Sequence, residues 1–581
     1  MEFSRVADLY EKIEDTTKRL EMTDHLVSLF KDSPPQIIDK VVYLTQGKLY
    51  PDYMGIELGM AERMAIEAVS RATLVAKKKI NQLYKQSGDL GLTVEELLKG
   101  RFPPLKALTV EDVYSTLDKI AKTSGKGSNE IKIRLLSRLL RGSRPKEAKY
   151  IVRIVTGKLR LGIGDMTILD ALALAFTGDK SNRPILEEAY NLSSDLGIVA
   201  KTIAEKGLEG IKKFQVTIGR PIRPMLAERM SSAEEILERM NGKASAEFKY
   251  DGLRIQAHIS PNEVYLFSRR MENITSQFPD VAEALKKSLK VDEAIVEGEC
   301  VAVDPHTGEM YPFQMISRRR GRKYDIEKMM EEIPVNIYLF DVLYVNGVDL
   351  TKKPYLERRS ALEKIVEETD KVKLAEYKII DNPKDLELYM HIAIEKGCEG
   401  VMVKSIDEDS IYTAGKRGFK WLKYKREYKS EMGDTVDLVV VGAFAGKGKR
   451  AGTYGALLMA AYNHERDVFE TVCKLGTGFT DEELAKLPEL LKPYKIERCH
   501  PRVDSGIEAD VWFVPAVVLE VRGAELTLSP SHRCGWGKVA ENAGLAIRFP
   551  RLEKWRTDKS PEDATTVQEI IEMYKNQLKH I

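Results

Sequence analysis

Ala246–His258 reads A-E-F-K-Y-D-G-L-R-I-Q-A-H. Lys249 stands just before an Asp251-Gly252 turn, and Arg254 follows close behind. Most lysines are solvated surface charge, but a lysine at a tight turn with a carboxylate and a cation close by could instead belong to a site. Lys-x-Asp-Gly with an arginine at this spacing arises by chance in roughly one chain in a hundred of this length. The stretch therefore suggests a site and does not by itself establish one. Further along come Ser268-Arg269, Glu297-Gly298-Glu299, Phe340-Asp341, Glu399-Gly400 with Lys404, and Lys420, Lys423 and Lys425. Each alone reads as an exposed charge at a strand end. Together they would line one cleft with phosphate-binding cations and metal-binding carboxylates. No G-x-x-x-x-G-K-[ST] occurs; Gly442–Lys447 is one residue short and lacks the hydroxyl residue, so nucleotide binding here does not use a P-loop.

The elements that must position these residues follow from periodicity. Phe248, Tyr250, Leu253, Ile255 and Ala257 interleave with polar residues and predict a strand, a turn at Asp251-Gly252 and a second strand. Strands are expected at Val264–Ser268, Ala294–Val303, Val335–Tyr344 and Gly400–Lys404, with a helix at Ser360–Glu368. Residues 1 to about 210 read almost wholly as helix, with Phe3, Val6, Leu9 and Ile13, then Leu26, Leu29 and Phe30, at helical spacing. Gly157–Gly164 joins two such helices, and Asp165 or Thr167 is the expected cap of the second. This glycine-rich, basic connection suits phosphate contacts along a duplex, and equally a plain helix–helix turn. Gly219–Pro224 reads as a linker or extended entry. Beyond Val436 short β runs at Leu438–Phe444, Ala456–Tyr462 and Ala516–Val521, interrupted by a helix at Asp481–Leu491, suggest a small β-barrel.

Composition bounds the partners. A chain of 581 residues predicts three or four domains, and 43% hydrophobic with 31% charged residues is the balance of a globular protein. Lys+Arg is 91 against Asp+Glu 89, so any nucleic-acid site has to be a local basic surface. The densest basic run, Arg318, Arg319, Arg320, Arg322 and Lys323, is a candidate DNA contact, with a solvated loop nearly as good a reading. Cys300, Cys398, Cys473, Cys499 and Cys534 are widely spaced and form no C-x-x-C pair, which fits a reducing, cytoplasmic compartment. Adjacent Cys499-His500 is poor spacing for a zinc finger. The amphipathic N-terminus is unlike a signal peptide, and no apolar run approaches membrane-spanning length.

Taken in order, K-Y-D-G-L-R, S-R-R-M-E-N-I-T, E-G-E, F-D-V-L-Y-V-N-G, E-G-V-M-V-K and W-L-K-Y-K are similar to the motif series of covalent nucleotidyltransferases. The flanks narrow the likeness: Arg223–Ala227, Gly446–Tyr454, Cys473–Phe479 and Arg548–Arg551 resemble ATP-dependent DNA ligases, and Tyr150–Leu161 looks like the DNA-binding domain of the archaeal and eukaryotic replicative type. The resemblance covers nearly the whole chain. It implies a multidomain protein: an all-α DNA-binding domain over 1–215, an α+β nucleotidyltransferase core over 216–432, and an OB-fold β-barrel with a C-terminal helix over 433–581. It implies that Lys249 attacks ATP to give a lysyl-AMP adduct, with Glu247, Arg254, Arg269, Glu299, Phe340, Arg417, Lys423 and Lys425 holding the nucleotide. Glu299 and Glu399 would hold Mg²⁺ or another divalent cation; Arg551, Arg556 and Lys559 would orient pyrophosphate; Lys158 and Arg160 would touch DNA. The implied partner is nicked duplex DNA, and the implied state is a cytoplasmic, archaeal monomer. A sliding-clamp segment of the Q-x-x-h-x-x-F-F kind is not evident at Leu98–Pro104. RNA ligases and mRNA-capping guanylyltransferases share the core, but the long helical region argues against both. Intact Lys249, Glu299, Glu399, Lys423 and Lys425 argue against a non-catalytic DNA scaffold.

Overall fold

The computed structural model describes residues 1–58, 60–101, 104, 106–304, 308–319, 325–425, 435–446 and 453–579. Its contacts divide into two units: Met1–Pro224 with Phe267–Asn273, and Met225–Leu266 with Ile274–Ile581.

The first unit is helical from Phe3–Glu14 to Leu196–Lys212. Phe3, Val6, Leu9, Ile13, Leu26, Leu29 and Phe30 are all buried in one continuous core. Helix Pro145–Val155 is buried on every side from Glu147 onward, so its polar residues must be paired. Arg153 bonds Glu14 at 2.9 and 3.0 Å and Asp89 at 3.0 Å, while Lys149 meets Glu14 at 2.9 Å. One expectation is corrected here. Helix Asp165–Thr177 has Gly164 at its N-cap and no side-chain cap; the Asp165 carboxylate instead accepts from Gln46 and Tyr190. Gly219–Pro224 lies outside helix and strand, as a linker or extended entry would, and is packed down along its length. Ile222 is fully buried, and Arg223 donates its backbone N–H to Asn191 at 2.8 Å and a guanidinium N–H to the Tyr190 hydroxyl at 2.6 Å.

In the second unit the core strands are β1 (Leu226–Arg229), β2 (Ala244–Lys249), β3 (Leu253–Ile259), β4 (Val264–Ser268), β5 (Ala294–Ala302), β6 (Val335–Val345), β7 (Val348–Asp349), β8 (Val372–Leu374), β9 (Tyr377–Ile380), β10 (Gly400–Ser405) and β11 (Arg417–Lys425). They form two sheets, ordered β1-β11-β10-β2-β9 and β4-β3-β5-β6-β7, with β8 beside β6. β2 and β3 are consecutive in the chain yet lie in different sheets, so the Asp251-Gly252 turn is a crossing and not a hairpin. Gly252 is required there, because a Cβ would come within 2.3 Å of the Cys300 carbonyl oxygen. On β3, Leu253, Ile255, Ala257 and Ile259 face a buried core, leaving Arg254, Gln256 and His258 on the opposite face. The helix expected from Ser360 runs instead over Tyr355–Ile365, since Pro354 at the N-cap presets its start.

The C-terminal sheet region adds β12 (Val436–Ala445), β13 (Tyr454–Asn463), β14 (Val468–Leu475), β15 (Lys495–Ile496), β16 (Val503–Asp504), β17 (Val511–Phe513), β18 (Val518–Arg522), β19 (Glu525–Ser529), β20 (Gly544–Arg548) and β21 (Arg551–Trp555). β12 is its hub, pairing with β13, β17 and β18, and β18 pairs with β21. Helix Asp481–Leu491 lies where expected, opened by a Thr480–Glu483 capping box. Among the described residues no helix is long and apolar enough to cross a membrane.

Candidate active site

Antiparallel registers set the site. Lys249 lies opposite Gly400 and Glu247 opposite Met402 between β2 and β10; Gly400, Met402 and Lys404 lie opposite Lys425, Lys423 and Trp421 between β10 and β11. Directly paired residues share a face. One face therefore carries Glu247, Lys249, Lys404, Trp421, Lys423 and Lys425. In the other sheet Arg254 lies opposite Glu299 and Gln256 opposite Glu297. The two polar faces meet: the Arg254 guanidinium is 5.6 Å from the Trp421 ring centroid, and the Lys404 ammonium is 4.8 Å from that of Phe340.

Lys249 sits at the end of β2, where the chain leaves one sheet for the other. Its Nζ is 2.7 Å from Glu399 Oε2, and both side chains keep about a fifth of their surface in solvent (23% and 20%). The Glu399 backbone N–H donates to the Lys249 carbonyl at 2.8 Å, so the strand ladder itself delivers the carboxylate to the amine. Lys425 Nζ reaches the same Oε2 at 3.3 Å. The group nearest the amine is thus a carboxylate. Burial pushes Asp251 up, and adjacent Glu399 adds to the rise. Burial also pushes Glu299 up, to about 7, against the pull of Lys249 and Arg254; Glu399 and Asp251 reinforce the rise. Gly400 has a φ of 145° and abuts the Tyr424 carbonyl oxygen, which a Cβ would approach to 2.4 Å, so glycine is needed beside the site.

Beneath the amine lies a buried ionic layer. Glu247 accepts from Lys404 Nζ at 2.7 Å and from the Tyr355 hydroxyl at 3.3 Å, with Arg359 at 3.6 Å. Arg254 donates to the Met225 carbonyl at 2.9 Å and to Glu297 Oε2 at 2.8 Å, and Tyr412 donates to that same oxygen at 2.8 Å. Among the described residues the buried Arg254 Nε has no hydrogen-bond partner. An orphaned donor costs about 1–3 kcal/mol, which a ligand acceptor would recover. Phe340 is buried, edge-on to Trp421. Glu297 and Lys404, visible in the sequence only as charged strand ends, prove to be the buried partners of Arg254 and Glu247. The signal was there for Glu297, which stands two residues before Glu299 and so on its face of β5. Nothing local marks Tyr412.

Other candidates are dispersed. Arg417 is exposed at the start of β11, and Arg269 is exposed on the turn Phe267–Asn273, which groups with the helical unit. Lys420 points to the other face of β11, where it pairs with Asp409, so it does not join the site. Arg556 and Lys559 converge on Asp437, at 3.1 and 2.6 Å. Arg551 is exposed at the far end of β21 and stands apart from them. In the helical unit Lys158 pairs with Glu62 and Arg160 meets Asp89 at 3.4 Å; both cations stay about half exposed (43% and 51%). Arg160 has a φ of 58°. Of the basic run, Arg320, Arg322 and Lys323 lie outside the described residues. Arg319 is no DNA contact: it is buried, paired with Asp280 and stacked 4.7 Å from the Phe278 ring centroid.

Among the described residues no group of three or more His, Cys, Asp or Glu forms a metal cage. Two part-buried carboxylates, Glu299 and Glu399, with Asp251 close to the latter, fit a different mode. Mg²⁺ is commonly held by one or two carboxylates together with substrate phosphates, and hard oxygen donors suit it.

The family described as DNA ligase N terminus matches residues 2–173, ATP dependent DNA ligase domain matches 224–425, and ATP dependent DNA ligase C terminal region matches 450–559. The chain is 58% identical to DNA ligase 2 of Thermofilum pendens, covering 99% of this chain and 98% of that protein. It is 54% identical to a DNA ligase of Sulfophobococcus zilligii (99% and 97% covered) and 54% identical to a probable DNA ligase of Aquifex aeolicus (100% and 99% covered). The chain belongs to the ATP-dependent DNA ligase family of the nucleotidyltransferase superfamily.

Proposed function

We propose that this protein is an ATP-dependent DNA ligase that seals nicks in duplex DNA, joining a 5′-phosphate to a 3′-hydroxyl. Lys249 Nζ attacks the α-phosphorus of ATP; an N–P bond forms, the bond to pyrophosphate breaks, and the amine proton leaves. The AMP then passes to the 5′-phosphate at the nick, and the 3′-hydroxyl displaces AMP to close the strand. The observation that carries this reading is Lys249 at the crossing between two polar sheet faces, 2.7 Å from Glu399. Glu247, Arg254, Arg269, Glu299, Phe340, Arg417, Lys423 and Lys425 would hold the nucleotide, with Arg254 Nε unpaired among the described residues and so able to donate. Glu299 and Glu399 would hold Mg²⁺, which supplies charge neutralisation on phosphoryl oxygens. Arg551, Arg556 and Lys559 would orient pyrophosphate, and Lys158 and Arg160 would grip phosphates of the duplex.

The reading assigns 1–215 to DNA binding, 216–432 to adenylation and 433–581 to an OB-fold domain. The OB-fold domain brings Arg556 and Lys559 to the nucleotide by closing on a linker near residues 431–435, with Gly433 as hinge; residues 431–434 lie outside the described ones. The test is incubation with α-labelled ATP and Mg²⁺. The wild type should carry covalent AMP and Lys249→Ala should not, while still binding nicked DNA. An undiminished adduct on the alanine variant would remove Lys249 as nucleophile, and labelling from GTP instead would point to a capping enzyme.

A further inference from the structure

Asp437 is the second residue of β12, and in the pairing with β18 it lies directly opposite Glu520. Like charges in that position repel. What offsets the repulsion comes from beyond β21: Arg556 Nη1 is 3.1 Å from Asp437 Oδ2 and 3.8 Å from Glu520, and Lys559 Nζ is 2.6 Å from the same Asp437 oxygen. Asp558 takes the remaining edge of Arg556 at 2.8 and 3.0 Å. The carboxylates differ in depth. Asp558 is 60% exposed, whereas the Asp437 side chain is 12% exposed. The Asp437 backbone is fixed as well, its N–H donating to the Thr565 hydroxyl and its carbonyl accepting from the Thr565 N–H. The buried, doubly anchored carboxylate therefore sets where both cations sit, and without it two positive side chains would repel each other.

We propose that Asp437 is a positioning residue for the ATP-consuming step: it holds Arg556 and Lys559 as one two-cation unit that receives the leaving pyrophosphate. This rests on the reading of Arg556 and Lys559 as pyrophosphate-orienting groups. Asp437 touches no reacting atom, so its removal should act through those two side chains and only where pyrophosphate takes part.

The test uses the full chain carrying Asp437→Asn beside an Arg556→Ala/Lys559→Ala variant. Three quantities are measured: adduct formation from α-labelled ATP with Mg²⁺, removal of AMP from the adduct by pyrophosphate, and sealing of nicked DNA that is already adenylated. Asp437→Asn should slow adduct formation about tenfold or more, the scale of losing preorganised charge. It should raise the pyrophosphate concentration needed for half-maximal reversal by a similar factor, and leave sealing within about twofold of wild type. Wild-type adduct formation by Asp437→Asn, with loss in the Arg556/Lys559 variant, would overturn the proposal and leave the pyrophosphate reading standing. Wild-type behaviour in both would sink that reading itself. Equal loss in all three assays would also overturn the proposal, since Asp437 would then only support the fold.

Discussion

Glu14 and Glu247 are both carboxylates held by basic side chains, yet they should answer to different perturbations. Burial pushes Glu14 up, but hydrogen bonds from Arg153, Lys149 and Tyr150 outweigh it and hold the carboxyl at about 2 against its usual 4.5. A carboxyl lowered on folding stabilises the protein above its unfolded value and loses that contribution as pH falls through the folded one. Stability should therefore decline from about pH 4.5 towards 2. Urea midpoints measured across that range should decline less steeply for Glu14→Gln; parallel curves would show that the cluster contributes nothing. For Glu247 the partner matters more than pH. Lys404→Met leaves the buried carboxylate to Arg359 and the Tyr355 hydroxyl, and removing one side of a buried pair costs about 3–5 kcal/mol. Adding Glu247→Gln to Lys404→Met should recover part of that loss in urea unfolding. If the double variant is no more stable than the single one, the pair is not coupled.

At the level of elements, one connection is built against local preference. Helix Glu62–Thr73 ends in Leu74, which has a φ of 57° and is 86% exposed, so it bears the left-handed penalty without packing in return. The next helix, Lys77–Ser87, starts from Ala76 with no side-chain cap and opens on three lysines, which oppose the helix dipole. Leu74→Gly should stabilise the helical unit by about 1 kcal/mol and Ala76→Ser by about 0.5–2 kcal/mol. Thermal unfolding reads both, and a fall in Tm for either would mean that the loop has a partner. Element positions were largely legible in the sequence because alternation and helical spacing are local signals: Val264–Ser268 and Asp481–Leu491 match residue for residue. What was not legible depends on which strand lies beside which. No pattern within Ala246–His258 tells that its two strands join different sheets. None pairs Asp437 with Arg556, 119 residues further on. Arg319 sits in a run that reads as a DNA contact or a solvated loop, and only the packing of helix Pro279–Ser288 shows it inside.

For the whole molecule, near-neutral net charge places the burden of DNA binding on a few local cations. Lys158 and Arg160 now face Glu62 and Asp89, and those contacts would be exchanged for phosphates. Each phosphate contact contributes about 0.9 to the slope of log affinity against log salt. The Lys158→Ala/Arg160→Ala variant should therefore bind nicked duplex with a slope shallower by about 2, with no change in sequence preference. An unaltered slope, measured by fluorescence anisotropy over a salt series, would reduce Gly157–Gly164 to a connector.

The ladder that sets Lys249 against Gly400 also bears on how this chain tolerates changes in length. Side chains alternate across a strand, so removing one residue from β10 would either turn the residues after it, Lys404 among them, to the other face or slide Glu399 off the amine. Nucleophile and carboxylate are thus carried by one reading frame of the backbone. A library of single-codon deletions, selected for nick sealing, should split sharply: survivors at surface turns such as Ser260–Glu263, and none between Glu399 and Ser405.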